Sequence, residues 1–306
     1  MDSVHSHLRG TSSLLFEATP ALDRLARYDR GVVVLAMPTG QAVPALTDLL
    51  KTGIPDSVGV IDLSGDLRLC DEQEHTAFYP EVAFSPEIRS RFVYGLSELA
   101  RSEISQARFI SNPGCLSSAA ILALAPLVEL VRGAQIVIDA KTGTSGAGRE
   151  PQASMHHPSR FSDFTAYKTL QHRHEPEIAQ ALRLTKSEAS QVMFVPHLLP
   201  VSRGIFVSAY VTLPQAIPSA ELLARYQKFY ADSPFIRFRS TPPRLVDVVG
   251  TNFCDVALTV RGQQAVVMSA IDNLGKGMVG AAIQNMNLML GLPEASGLLL
   301  PALGPA

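Results

Sequence analysis

Two continuous apolar runs, separated by a helix-like segment, constrain the fold of this chain more than any other feature. Residues 31–37 read GVVVLAM and residues 58–63 read VGVIDL. Runs of this kind, rich in β-branched residues, are typical of strands buried on both faces of a parallel sheet. A turn at residues 38–40 and a predicted helix at Ala42–Lys51 connect them. The whole makes a βαβ unit, which requires a parallel sheet and a right-handed crossover.

Ligands of such sheets bind beyond the carboxyl ends of the strands. Those ends correspond here to residues 38–40 and 64–68, so we expect part of a ligand site there. A dinucleotide-binding domain should also show an earlier strand and a glycine-rich turn that opens a helix. The sequence before Val32 has no such fingerprint, and Gly10 follows no predicted strand.

Composition narrows the class of protein. A length of 306 residues with 46% hydrophobic content suits two domains or one large α/β domain. The net charge of -2 argues against nucleic acid or an anionic membrane as the main partner. The sequence shows no membrane span, signal peptide or transit pattern. Cys70, Cys115 and Cys254 are far apart and fit neither a disulfide framework nor a zinc site, so we expect a reducing, cytoplasmic compartment.

The most informative cysteine lies in residues 110–126, ISNPGCLSSAAILALAP. The sequence predicts a turn that places Cys115 in the first turn of a buried helix, which we expect to end near Gly133. Free backbone N–H groups and the helix dipole favour a thiolate there. We therefore expect the pKa of the Cys115 thiol to be lowered and the thiol to act as a nucleophile. A buried cysteine that only fills space is the alternative.

Two histidines precede a predicted helix at residues 175–182, which has Pro176 in its first turn. His172 and His174 end an extended segment, in which residues i and i+2 point to the same side. A neutral histidine near Cys115 could take its proton and later return one to an oxygen. A capping or hydrogen-bonding histidine is the alternative, and the spacing does not say which of the two acts.

A glycine-rich loop follows a predicted strand at residues 135–140. Residues 141–149 read KTGTSGAGR, and three glycines among small hydroxyls allow a backbone to approach a ligand closely or to bind an anion. A plain flexible loop is the alternative. Farther along, Arg203 stands at the mouth of a predicted strand, where its guanidinium suits an anionic substrate group or a structural ion pair.

The remaining sequence predicts a helix at residues 219–230, with Ser219 as its N-cap, and a hairpin. The hairpin strands are residues 253–260 and 265–271. Asn273 then stands before a long helix of small residues that ends at Leu290, where it suits an ordinary N-cap.

These motifs resemble those of N-acetyl-gamma-glutamyl-phosphate reductases, NADPH-dependent enzymes of arginine biosynthesis. The resemblance extends from about Val4 to Leu300. It rests on the Cys115 stretch and on residues 142–149, 172–174, 196–204 and 271–277. It departs from the family pattern at Leu116, where an aromatic residue is usual, and at Ser118, where threonine is usual.

The resemblance implies an α/β fold with two domains. A Rossmann-like, parallel-sheet NADP-binding domain would comprise residues 1–113 and 273–306. An α+β catalytic and dimerisation domain with a mostly antiparallel sheet would comprise residues 114–272. The family segment that resembles residues 4–10 follows the first βαβ unit. We therefore expect the chain to begin about one βαβ unit late, roughly 30 residues, without the N-terminal glycine-rich unit.

The resemblance also implies the chemistry. Cys115 attacks an acyl phosphate, a nicotinamide hydride reduces the resulting thioester to the semialdehyde, and His172 or His174 shuttles the proton. NADP is the implied cofactor, and no metal is implied. The implied cofactor contacts are Pro38, Gly40, Ser64, Ser145, Gly146, Ala147, Gly148 and Asn273. The implied substrate contacts are Asn112, Arg149 and Arg203. A homodimer or homotetramer is expected.

Three other functions remain open at this point. The lysine-pathway reductase, which acts on a carrier-linked aminoadipyl phosphate, would use the same site chemistry. A truncated, inactive homologue would explain the missing glycine-rich turn but not the presence of the cysteine, the loop and the histidines together. A cysteine hydrolase would share the acyl-enzyme step, but it would leave the βαβ unit and Asn273 without a purpose.

Overall fold

The strands in the described part of the chain form two sheets. The computed structural model describes residues 10, 22–25, 27–148, 150, 152–189 and 191–304. A parallel, four-stranded sheet has the order β1-β2-β4-β3 and contains β1 (Gly31–Leu35), β2 (Val58–Asp62), β3 (Phe92–Tyr94) and β4 (Phe109–Ser111). A seven-stranded sheet has the order β6-β7-β5-β8-β11-β10-β9 and contains β5 (Ile136–Thr142), β6 (Thr165–Ala166), β7 (Val192–Leu198), β8 (Ile205–Thr212), β9 (Ile236–Phe238), β10 (Cys254–Arg261) and β11 (Gln264–Ile271).

Helices connect these strands and cover the sheets. They are α1 (Leu22–Leu25), α2 (Ala42–Lys51), α3 (Glu72–Phe78), α4 (Pro86–Arg89), α5 (Ser97–Gln106), α6 (Cys115–Leu124), α7 (His157–Arg160), α8 (His174–Ala181), α9 (Lys186–Ala189), α10 (Ser219–Phe229) and α11 (Gly280–Leu290). A π-helical turn, Gly275–Val279, precedes α11. No helix in the described part of the chain has both the length and the apolar character needed to cross a bilayer.

The predicted βαβ unit is present. Strand β1 pairs in parallel with β2, with Gly31 opposite Val58, and α2 has the predicted bounds. Strand β2 is buried along its whole length, as its continuous apolar run predicted. The same prediction is wrong for β1, which lies at the edge of the sheet and leaves Val34 44% exposed. The seven-stranded sheet is mostly antiparallel, with parallel pairs only at β5–β7 and β9–β10 among its described strands. The α/β fold with one parallel and one mostly antiparallel sheet is therefore confirmed.

Helix α6 lies in the centre of the largest hydrophobic core. Residues 116–124 are all buried, because the sequence is small and apolar on every side of the helix. The helix packs on β8 and β11 of the seven-stranded sheet. Near its end, the Tyr230 hydroxyl donates to the Leu122 carbonyl at 2.8 Å, which satisfies an acceptor in the last turn.

Helices α6, α8 and α10 differ from the predicted helices in their boundaries or caps. Helix α6 ends before Pro126 instead of near Gly133, because proline cannot donate the hydrogen bond that would continue the helix, and a 3₁₀ segment follows. Helix α8 begins at His174, so this histidine lies in the first turn instead of in an extended segment. Ser219 is the first helical residue of α10, and the N-cap is Pro218.

A buried ion pair joins the helices that cover the four-stranded sheet. Lys276, in the π-helical turn, donates to Glu98 Oε1 and to Gln284 Oε1, each at 2.6 Å. The side chains of Lys276 and Glu98 are almost fully buried. Burial is the largest single influence and would raise the pKa of Glu98, but the Lys276 charge and the hydrogen bonds from Lys276 and Gln284 together lower it. The pair therefore fixes the start of α5 to the segment that leads into α11.

Candidate active site

Cys115 is the first residue of α6, as predicted, and follows the turn that leaves β4. A Cβ at Gly114 would overlap His174 Nε2 and would lie 2.9 Å from Arg68 Nη1, so this position requires glycine. The Gly114 N–H donates to Glu177 Oε1 at 2.7 Å. The turn that carries the thiol is thus held by side chains from α8 and from the end of β2.

Glu177 is the centre of this arrangement. Its buried carboxylate also accepts a hydrogen bond from the Tyr94 hydroxyl at 2.7 Å. Its Oε2 lies 3.6 Å from Arg68 Nη1 and 4.0 Å from His174 Nε2. Sequence reasoning missed Glu177, although its spacing of three residues from His174 on a helix was a usable signal. It also missed Arg68 as an individual residue, although Arg68 ends the segment expected to hold a ligand.

Arg68 and Asn112 tie the cysteine turn to its surroundings. Arg68 Nε donates to the Asn112 carbonyl at 2.8 Å, and Arg68 Nη2 donates to the Leu63 carbonyl at 3.1 Å. Asn112 Nδ2 donates to the Met278 carbonyl at 3.2 Å, and the residue is 1% exposed. Asn112, predicted as a substrate contact, is therefore engaged with the backbone of the π-helical turn.

The two predicted histidines lie together, with their ring centroids 4.6 Å apart. The backbone N–H of His174 donates to His172 Nδ1 at 3.2 Å. Burial, aided by the charges of Arg173 and Lys168, lowers the pKa of His172 to about 4. Burial also lowers the pKa of His174 well below its ordinary value. Both rings are therefore neutral near pH 7, and His174 is the one whose Nε2 lies beside the cysteine turn.

The expectation of a lowered thiol pKa is wrong for this site. Burial raises the pKa of the Cys115 thiol, and the nearby Arg68 charge offsets this only in part. Gly277 contributes to the enclosure, because a Cβ at that position would lie 2.8 Å from Cys115 Cβ. The cost of burying a thiolate thus outweighs the stabilisation that the helix N-terminus gives to it. The resting site therefore holds a neutral thiol near a neutral imidazole.

The glycine-rich loop lies beside Asn273, as the resemblance implies. Asn273 Nδ2 donates to Ser145 Oγ at 2.9 Å, and the Gly204 N–H donates to Asn273 Oδ1 at 2.7 Å. Gly146 is exposed, and a Cβ at Gly148 would meet no atom within 4 Å. A cavity of about 830 Å³ borders the loop and is lined in part by Ser145, Ala147 and Gly148. This loop can therefore accept a flat ligand against its backbone.

The turn after β1 is already occupied by a carboxylate of the protein. Asp66 accepts hydrogen bonds from the Gly40 N–H at 2.9 and 3.0 Å and from the Ala42 N–H at 3.2 Å. Nearby, Ser64 Oγ donates to Asp62 Oδ2 at 2.9 Å. Pro38, Gly40 and Ser64 follow the carboxyl ends of β1 and β2, but the donors of Gly40 and Ser64 have partners within the protein.

The structure describes one of the two arginines that were predicted to contact the substrate. Arg149 lies outside the described residues. Arg203 forms an ion pair with the buried Asp272, which also accepts a hydrogen bond from the Gly250 N–H at 2.6 Å. The guanidinium of Arg203 is partly exposed, but its Nε and one terminal nitrogen are engaged with Asp272.

Comparisons with known proteins place the chain in a family. A family model for the semialdehyde dehydrogenase dimerisation domain matches residues 115–273. A curated N-acetyl-gamma-glutamyl-phosphate reductase from Bacillus cereus (strain B4264) is 38% identical, over 97% of this chain and 86% of the relative. The reductases of that name from Wolinella succinogenes and Methanosarcina barkeri are each 40% identical, over 97% and 99% of this chain and 85% and 87% of the relative. This chain belongs to the N-acetyl-gamma-glutamyl-phosphate reductase family.

Members of the N-acetyl-gamma-glutamyl-phosphate reductase family are oxidoreductases of amino-acid biosynthesis, and the chain is an enzyme of this class. Solved structures show the same fold. Aspartate semialdehyde dehydrogenase II from Vibrio cholerae matches with a TM-score of 0.60 at 14% identity, over 85% of this chain and 80% of that chain. The enzyme from Francisella tularensis matches with a TM-score of 0.62 at 13% identity, over 88% and 84%.

Proposed function

We propose that this chain reduces N-acetyl-gamma-glutamyl phosphate to the semialdehyde through a thioester on Cys115, with NADPH as the reductant. The observation that carries this proposal is the position of Cys115. It lies at the start of a buried helix, on a turn packed against His174 and Glu177. The substrate is the one that the names of the relatives state, which favours it over an aminoadipyl phosphate.

In the first step, the Cys115 sulfur attacks the acyl carbon, a C–S bond forms and the C–O bond to phosphate breaks. The thiol proton leaves through a neutral imidazole, and His174 is the better placed of the two. The N–H groups of Cys115 and Leu116 lie near the sulfur and favour its negative charge. The same helix start suits an oxyanion on the substrate.

The residues around the loop fit a nicotinamide. Ser145 and Asn273 form a polar edge next to open backbone at Gly146–Gly148, where a flat ring can lie. When bound, NADPH supplies the hydride that reduces the acyl group. Asn273 and the loop, with Ala147, would orient the ring, while Pro38, Gly40 and Ser64 would border the rest of the cofactor. Arg203 and Arg149 remain proposed substrate contacts, together with Asn112.

We assign residues 1–113 and 273–306 to the cofactor domain and residues 114–272 to the catalytic domain. The family description of residues 115–273 as a dimerisation domain supports a homo-oligomer.

One face of the seven-stranded sheet carries a row of paired apolar side chains from Met193, Val137, Tyr210 and Val266. Tyr210 is 43% exposed, and we propose that a second copy covers this row. We place the enzyme in the cytoplasm, where reducing conditions keep Cys115 free.

The oligomer proposal predicts that Tyr210→Glu weakens self-association, because a charge in an apolar interface costs several kcal/mol when it stays unpaired. Light scattering of the purified protein should then show a smaller mass than for the wild type. Phe229→Glu, which changes an aromatic side chain of similar exposure on α10, is the matched control. Equal masses for all three proteins would contradict this choice of interface.

The reaction is tested in the reverse direction with the purified chain. N-acetylglutamate semialdehyde, NADP⁺ and inorganic phosphate should produce NADPH, measured by absorbance. The aminoadipyl semialdehyde on its carrier protein should give a much smaller kcat/KM. Absence of NADPH formation with both substrates, while the protein is folded, would refute the proposal. Equal turnover without phosphate would point to a different reaction.

A further inference from the structure

Arg173 lies between the two candidate catalytic histidines, at the N-cap of α8. Its side chain reaches toward the four-stranded sheet. Nη1 donates to Thr39 Oγ1 at 3.2 Å, and the guanidinium carbon lies 5.5 Å from the centre of the Tyr79 ring. Arg173 therefore bridges the turn after β1 and the segment that carries His172 and His174.

The described part of the chain holds no counter-charge for Arg173. Among the described residues, no carboxylate lies within ion-pair distance of this guanidinium, whereas Arg68 faces Glu177 and Arg203 faces Asp272. A guanidinium carries five N–H donors, and the hydrogen bond to Thr39 uses one of them. Its positive charge acts on both histidines. A half-buried cation with further N–H donors thus lies between the histidine segment and the turn after β1, and both this cation and Cys115 act on the pKa of Tyr167.

We propose that Arg173 binds the phosphoryl group of the acyl-phosphate substrate. This inference rests on the proposed function and adds a residue that sequence reasoning did not select. A planar guanidinium with unused donors suits a phosphate dianion, which it can bind through two parallel hydrogen bonds. When the C–S bond forms and the C–O bond breaks, the leaving group departs as hydrogen phosphate and takes up the proton released by the thiol. Arg173 stabilises that dianion.

Thr39 lies in the turn after β1, where we propose that part of the cofactor binds. A phosphate of the cofactor is therefore a second group that Arg173 can contact. Both sources present the same chemistry to a guanidinium, so the test must separate them. In the reverse reaction, the KM for inorganic phosphate reports the substrate subsite. The Kd for NADPH, from fluorescence titration, reports the cofactor.

Arg173→Gln should raise the KM for phosphate about 10- to 100-fold, the range expected for a lost hydrogen bond to a charged group. It should leave the Kd for NADPH within about twofold, because the cofactor contacts proposed above do not include Arg173. Arg173→Lys keeps the charge without the planar fork and should give an intermediate KM. Lys168→Gln removes a positive charge from the same segment and is the matched control, with both constants unchanged.

A second measurement needs no turnover. Inorganic phosphate should slow the alkylation of Cys115 by iodoacetamide in the wild type, without cofactor, and this protection should be lost in Arg173→Gln. Mass spectrometry of the Cys115 peptide separates it from the exposed Cys70. If the wild type shows no reductase activity but phosphate protects Cys115 in an Arg173-dependent way, the site stands and the proposed function fails.

Two outcomes would overturn the inference. The first is an unchanged KM for phosphate together with unchanged protection of Cys115 in folded Arg173→Gln and Arg173→Lys proteins. The second is weaker NADPH binding with an unchanged KM for phosphate, which would assign Arg173 to the cofactor. Melting curves of both variants establish that they are folded.

Discussion

Two regions at the carboxyl edge of the four-stranded sheet use a buried carboxylate in different ways. At the cysteine turn, Glu177 binds the Gly114 N–H and faces two groups that can carry charge, Arg68 and His174. At the turn after β1, Asp66 binds the N–H groups that open α2, and no cationic side chain pairs with it among the described residues. The first carboxylate serves a charge network around a reactive group, whereas the second serves a helix start. Loss of the first should impair chemistry, and loss of the second should impair stability.

The largest expected effect is at the nucleophile itself. Cys115→Ala should lower kcat by roughly 10⁴-fold or more, because no other group can form the thioester. The melting temperature should change little. Cys254→Ala is the matched control, since Cys254 is buried in β10 away from the turn. It should lose about 1 kcal/mol of unfolding free energy and retain its kcat. Normal turnover by Cys115→Ala would refute the assignment.

The role of Glu177 is tested by removing its charge and keeping its shape. Glu177→Gln should lower kcat by about 10²- to 10³-fold, because Arg68 loses its counter-charge and His174 loses the negative charge beside it. Glu175→Gln, on the same helix, is the control and should stay within a few-fold of the wild type. Equal losses in both variants, measured in the reverse assay, would show that the Glu177 charge has no special role.

The neutral histidines make stability depend on pH. The pKa of His172 is about 4 in the folded chain and near 6.5 when unfolded. The unfolded chain therefore binds the proton first as the pH falls, and stability is lost between about pH 6.5 and pH 4. The loss from His172 should be on the order of 3 kcal/mol. Urea unfolding at several pH values measures it. His172→Gln should flatten this dependence, whereas the exposed His156→Gln should not.

The smallest expected effect is at the helix start. Asp66→Ala leaves the Gly40 and Ala42 N–H groups without their acceptor and should lower the free energy of unfolding by about 1–2 kcal/mol. The alkylation rate of Cys115 should not change. Asp48→Ala, on the exposed side of α2, is the control for stability. A changed alkylation rate in Asp66→Ala would mean that the two regions are coupled, against the comparison above.

Local patterns in the sequence were sufficient for most of the fold. The continuous apolar run predicted β2, and the small apolar residues after Cys115 predicted a helix that is buried on every side. The same patterns placed Cys115 at a helix start. These features depend on residues that are close in sequence or on motifs with a fixed spacing.

Features that depend on long-range packing could not be predicted. Burial raises the pKa of the Cys115 thiol, and Gly277, which is far away in sequence, contributes to that burial. The roles of Arg68 and Glu177 depend on how the segment after β2 packs against α8, and no local sequence pattern predicts that packing. Site roles assigned by resemblance to Arg203 and Asn273 remain predictions, since each has a structural partner that accounts for its position.

The buried pair Lys276–Glu98 has a consequence for how this protein can change over generations. Replacing either residue alone leaves the other charge buried and unpaired, which is strongly destabilising, whereas replacing both with well-packed apolar residues can be neutral. Positions 98 and 276 should therefore be inherited as a unit. A library of single substitutions will report both positions as intolerant, although a library of double substitutions will recover functional sequences with neither charge.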